Sequence, residues 1–283
     1  MFGLKSKTKE IEKEKNSIDN EELNVSSEEE VATEPAEKFN LAWALGKTKE
    51  KMEKDFYLFQ IKELMKKLGF VILPPISDVQ LLEKQISSLI KFETGDILAT
   101  PTAIICLTEK KSALFNKIGA SAIVDYPYGE STAKSRYIDV KELAKHGIKN
   151  VVATLPVSGE GLSILGGVRS NLNKMCAKLG KGLSIGVHAS LGDESVKKIM
   201  KTFASVKAGS FTLLCGGMTG DLLTGAVVNA LKYKADKKLF VFSDVGNVKD
   251  LAEITELGVD KVYTPYALDI GNELLEKFDV SIE

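Results

Sequence analysis

From Gly69 to the C-terminus the chain repeats one plan eight times: a short apolar run followed by a helical segment. The runs are Phe70–Leu73, Ile97–Thr100, Ala122–Tyr126, Val151–Leu155, Leu183–His188, Phe211–Cys215, Leu239–Ser243 and Val259–Thr264. The helical segments hold Leu81–Ile90, Ala113–Ile118, Ile138–Ala144, Val168–Leu179, Val196–Val206, Leu222–Leu231, Val248–Leu257 and Leu268–Phe278. Short runs rich in branched side chains read as buried strands, and apolar residues at helical spacing read as helices. Successive parallel strands need a helical crossover. Eight such units over 215 residues fit an α/β fold, a (β/α)8 TIM barrel, which typically takes ~250 residues. The competing architecture is a doubly wound open sheet. The even spacing and the lack of a G-x-G-x-x-G turn after the first run favour the barrel.

The clearest unit is Ser121 to Arg136. Its apolar run breaks at Pro127 and Gly129, and a helix restarts with Ser131 or Thr132 as N-cap and stops at Gly147.

Two segments precede the barrel. Residues 1–38 hold six Lys against eleven Asp and Glu and have no aromatic residue after Phe2. Such a segment cannot bury enough surface to offset the entropy of ordering, so a disordered acidic tail is expected there. Residues 39–68 differ: Trp43, Phe56, Phe59, Leu64 and Leu68 belong to an amphipathic pattern that predicts a helical extension packed on the barrel. The tail and this helix are also where a protein partner would be sought.

Composition removes several classes of function. Net charge is −1, and no concentrated basic face marks a nucleic-acid footprint. No apolar run approaches the ~20 residues that span a membrane, and residues 1–15 lack the apolar core of a secretory signal. Cys106, Cys176 and Cys215 are odd in number and lack metal-ligand spacing, which fits reduced thiols in a cytoplasmic protein without metal or other cofactor.

Tyr126-Pro127-Tyr128-Gly129, followed by Thr132, Arg136, Asp139 and Gly147, resembles the third β-α unit of the deoxyribose-phosphate aldolases, which carries a Phe-Pro-x-Gly turn. Looser likenesses are Leu73-Pro74-Pro75 after the first strand, Ser190 to Glu194 after the fifth, Ala208 to Phe211 with Gly216-Gly217 around the sixth, and Ser243 to Gly246 after the seventh. The resemblance runs from Gly69 to about Gly271 and implies an aldolase barrel. In that family a lysine on the sixth strand forms a Schiff base, a lysine on the seventh lowers its pKa, and an Asp on the fourth moves protons. The resemblance places those three groups at Leu213, Phe242 and Val152, none of which can do the chemistry. Lys181, Lys207, Lys237, Lys238 and Lys261 lie before or at the starts of strands, whereas barrel active sites sit at the strands' C-terminal ends. With only His146 and His188, the chain also lacks the three ligands that catalytic zinc usually needs.

The expected mouth of the barrel still offers Asp125, His188 and Asp244, from alternate strands, where flanking anions would raise the histidine's pKa and suit it to acid–base work. Their other reading is as hydrogen-bonded turn residues. Gly216, Gly217 and Gly246 are candidates for holding a small phosphorylated ligand on backbone amides. Three functions stay open: a non-catalytic, cytoplasmic binding or scaffold module; an active carbon–carbon lyase on 2-deoxyribose 5-phosphate or a related sugar phosphate; and different acid–base chemistry at Asp125, His188 and Asp244.

Overall fold

The computed structural model describes residues 49–73, 79–110, 112–157 and 165–277. The 1–38 tail, Trp43, Pro74, Pro75, Gly159 and Gly161 lie outside the described residues. Eight strands close into a parallel barrel in sequence order, with the first paired to the last. They are β1 (Leu68–Ile72), β2 (Asp96–Ala99), β3 (Gly119–Val124), β4 (Asn150–Thr154), β5 (Leu183–His188), β6 (Ser210–Leu214), β7 (Lys238–Phe242) and β8 (Lys261–Thr264). Each of the eight expected runs is a strand, displaced by at most a few residues at its ends.

The helices are α1 (Lys49–Lys66), α2 (Val79–Lys91), α3 (Pro101–Lys110), α4 (Ser112–Phe115), α5 (Ala133–Lys145), α6 (Leu165–Leu179), α7 (Asp193–Phe203), α8 (Gly220–Tyr233), α9 (Val248–Glu256) and α10 (Ala267–Lys277). Helix α3 was not expected. Pro101 opens it, at the one helical position where a missing N–H costs nothing, and Ala103, Ile104 and Leu107 are its buried face. Gly166 and Gly167, which precede the helical segment expected from Val168, fall inside the first turn of α6.

Side chains separate into two packed layers. Ile104, Leu172, Phe203, Phe211, Leu213 and Val241 belong to the large layer between strands and helices. Val71, Leu98, Ile123, Val152, Leu214, Phe242 and Tyr263 fill the barrel's interior, with Tyr126 and Phe240 against them. Burying each such side chain contributes roughly 1.5–3 kcal/mol. Helix α1 joins the outer layer through Ile61 and Met65, both buried.

This sorting corrects one position. The strand period of two puts alternate residues on opposite faces. Leu213 therefore faces the helices, and the interior positions of β6 are Thr212 and Leu214. Phe242 and Val152 do face inward.

Candidate functional site

The C-terminal mouth begins with Asp125, whose backbone lies in the left-handed region at φ 65°. A carboxylate side chain suits that conformation because it can bond locally, and this one does. Its Oδ2 accepts from Arg136 Nε at 3.0 Å and Nη2 at 2.7 Å. Ser131 N–H donates to both carboxylate oxygens, at 3.0 Å each. Arg136 Nη2 also donates to the carbonyls of Gly129 (2.8 Å) and Ser131 (3.1 Å). Both partners are almost fully buried, with side-chain exposures of 8% for Asp125 and 3% for Arg136. The pair fastens the loop to α5, which Thr132 caps by accepting from Ser135 N–H.

Within the loop the Tyr126–Pro127 peptide is cis, and Gly129 has φ 67°. A Cβ on Gly129 would sit 2.2 Å from the Leu155 carbonyl oxygen, so no other residue fits there. Asp139, on α5, has its carboxyl pushed up by burial and by the Asp125 charge.

His188 ends β5, half-buried. Burial pushes its pKa down, opposed by a hydrogen bond to the Pro127 backbone. This reverses the expectation that flanking carboxylates would raise it. Among the described residues no ion pair joins His188 to Asp125 or Asp244, and its Nε2 is buried without a hydrogen-bond partner. Thr154 Oγ1 and Ser243 Oγ are likewise buried and unpartnered at the ends of β4 and β7.

Asp244 is exposed, and its Oδ2 accepts the Gly217 N–H at 2.8 Å. It also raises the pKa of Tyr126, after burial, the larger cause. The Tyr126 ring packs on Phe242 with centroids 5.2 Å apart. Cys215 is buried, its thiol pushed up to about 12 by desolvation, so it is not a nucleophile at neutral pH.

Neither glycine turn has the features of a phosphate cradle. The Gly217 amide, one of the candidates with Gly216, is already bonded to a carboxylate whose charge would repel a phosphate. Gly246 lies under Tyr266, whose ring is 3.6 Å from where a Cβ would stand. Asp125, His188 and Asp244 thus share one end of the barrel with separate attachments: to Arg136, to the Pro127 backbone and to Gly217. Arg136 was the functional partner hardest to find. It stands in the family-like motif, but nothing in its spacing shows that it turns back to hold Asp125.

Among the described residues the inward face contains lysine only at the other end. On β7 and β8, Lys238 and Lys261 are the first residues of their strands. Lys261 Nζ is paired to Asp96 Oδ2 at 3.0 Å. Lys237 is buried beside the barrel and donates to the carbonyls of Val206 and Ala208. Among the described residues no group of three His, Cys, Asp or Glu could hold a metal ion, and no helix is long and apolar enough to cross a membrane.

No protein-family model matches the chain, and no curated protein matches its sequence. Solved structures do match. An aldolase, QR15, is 14% identical, covering 76% of this chain and 97% of its own, with a TM-score of 0.67. Deoxyribose phosphate aldolase from Aeropyrum pernix is 13% identical over 79% and 97%, with a TM-score of 0.66. A tryptophan synthase alpha-subunit from Pyrococcus furiosus is 11% identical over 76% and 99%, with a TM-score of 0.52. The chain therefore has an aldolase-like barrel fold, one that also carries different chemistry elsewhere.

Proposed function

We propose that the chain is a divergent relative of the deoxyribose-phosphate aldolases that has lost Schiff-base chemistry and works as a cytoplasmic binding module. One observation carries this reading. The interior of the barrel below the mouth is filled by Leu214, Phe242, Val152 and Tyr126, where a Schiff-base mechanism needs an amine and a second cation to keep it neutral. The register supports it, because Leu214 and Phe242 are direct neighbours across β6 and β7. The inward lysines are at the opposite end, several residues earlier on their strands. A protein partner would engage the 1–38 tail and α1, whose Phe59 is 61% exposed.

The test is reductive trapping. The protein is incubated with 2-deoxyribose 5-phosphate or acetaldehyde and borohydride, and intact mass is measured. The expected result is no stoichiometric adduct and no aldol cleavage. An adduct mapped to Lys238, Lys261 or any other barrel lysine overturns the reading.

One observation favours a second reading, the retention of acid–base capacity at the mouth. His188 keeps a buried Nε2 with no protein partner, and its lowered pKa holds it neutral at pH 7, as a proton acceptor must be. Asp125 is bound to Arg136, so this chemistry would rest on His188, with Asp244 the one remaining carboxylate of the proposed three.

A further inference from the structure

We propose that the N-terminal end of the barrel, opposite the mouth, binds a small dianion of the phosphate class on Lys181, Lys238 and the Ser210 hydroxyl. A cavity of about 290 Å³ opens there, lined by the first residues of successive strands. This is at the lower end of the ~300–1,000 Å³ range of ligand pockets, the size for inorganic phosphate or a small phosphomonoester.

The lining is charged in one direction. Lys181, Lys238 and Lys261 contribute three cations against the single carboxylate of Asp96. Lys261 is committed to that carboxylate at 3.0 Å. Lys181 and Lys238 have no carboxylate partner among the described residues, so the cavity keeps an unneutralised positive field. A cleft lined by one sign of charge concentrates counter-ions of the other.

A second feature is a polar wall residue. Ser210 is 4% exposed overall and lines the cavity, where its hydroxyl is open to the space rather than sealed in the fold. Its neighbour Ser184 is bonded to Thr212 at 2.6 Å, and Ser121 donates to Asp96 at 2.7 Å. Ser210 alone of these three is left to a ligand. A hydroxyl open to a cationic cavity can donate to an acceptor placed there. Phe240 and Tyr263, which also pack in the interior, line the cavity and meet edge to face at 6.0 Å, with Lys261 over both rings.

Full-length protein is titrated calorimetrically with inorganic phosphate and, separately, with glycerol 3-phosphate. Saturable binding is expected in the ~millimolar range or tighter. The double variant Lys181→Met/Lys238→Met should lose at least about tenfold in affinity, about 1.4 kcal/mol. Ser210→Ala should lose severalfold. In amide NMR of the unmodified protein, Gly182 and Gly209 should shift, while Gly217 and Gly246 at the mouth stay still. Tighter glycerol 3-phosphate identifies a monoester as the ligand, and equal affinity identifies free phosphate; both support the site. Absence of saturation, unchanged affinity in a folded double variant, or shifts confined to Gly217 and Gly246 would each overturn it.

Discussion

At the mouth of the barrel the charged groups are tied into the fold, while at the opposite end two are left over. Asp125 meets Arg136 with both side chains nearly fully buried. Asp244 takes the Gly217 amide, and the space between is filled with Tyr126 and Phe242. At the N-terminal end, by contrast, three lysines surround an open cavity and only one of them is paired to a carboxylate. Barrels of this architecture place their chemistry at the mouth and use the other end for stability. Here the mouth carries the stabilising ion pair, and the unpaired cations lie beneath. A shared fold therefore fixes where side chains sit without fixing how the charges at either end are paired.

The largest expected effect is at the mouth. Asp125→Asn keeps a side chain that tolerates the left-handed backbone but leaves Arg136 buried without its anion. Removing one partner of a buried pair costs about 3–5 kcal/mol, read as a fall in the denaturant midpoint at unchanged slope. The double variant Asp125→Asn/Arg136→Met should recover part of that loss. A single-variant cost below about 1 kcal/mol would mean that the clamp is ornamental and the contrast between the two ends is wrong.

A smaller effect is expected at the other end. Asp96 Oδ2 accepts from Ser121, Tyr263 and Lys261, but Lys261 is partly exposed and can turn to solvent. Asp96→Asn should cost about 1–3 kcal/mol. It should also tighten phosphate binding, because the cavity then has no carboxylate among its lining residues. Weaker binding in this variant would break the electrostatic half of the comparison.

The smallest effect is a pH slope at His188. Its folded pKa lies below the ordinary 6.5 because the ring is desolvated. The unfolded chain therefore takes up the proton first as pH falls. The contribution of this group is complete above about pH 6.5 and declines below it, until the folded ring also protonates. His188→Gln should flatten the stability profile between neutral pH and about pH 5 relative to the parent. An unchanged profile would mean that the ring is solvated and the mouth more open than its packing indicates.

Fold and site were unequally legible in the sequence. Eight apolar runs alternating with helical patterns dictated eight strands, since buried parallel strands are continuous apolar segments separated by crossovers. Even so, a one-residue choice of register exchanges the two faces of a strand. That is why Leu213, a plausible interior residue by motif position, proves to face the helices. Helix α3 was missed because the helical segment of that unit was placed at Ala113–Ile118, although Ala103, Ile104 and Leu107 lie at helical spacing before it. At the site, residue types were visible but their partners were not. Asp125 and Arg136 stood in one motif, yet their joining depends on how a glycine-containing turn folds back. His188 looked ready to be flanked by carboxylates, whereas its environment is set by burial and by the backbone of Pro127. Lys181, Lys238 and Lys261 were recognised as strand-start residues. That strand starts from separate parts of the chain converge on one cavity follows only from closure of the barrel.

Closure has a further consequence through Asp96. Its bond with Tyr263 joins residues 167 apart in the chain, the second strand to the last, across Gly69 of the first. A Cβ on Gly69 would lie 2.4 Å from the Tyr263 ring, so the glycine is what lets the final strand seat itself. During synthesis the N-terminal segments emerge first, and β1 must wait for Lys261–Thr264 before its outer edge is covered. A nascent chain stopped before that point would expose two unpaired strand edges, the template on which other chains aggregate. A premature stop late in the message should therefore yield insoluble protein rather than a slightly shortened barrel.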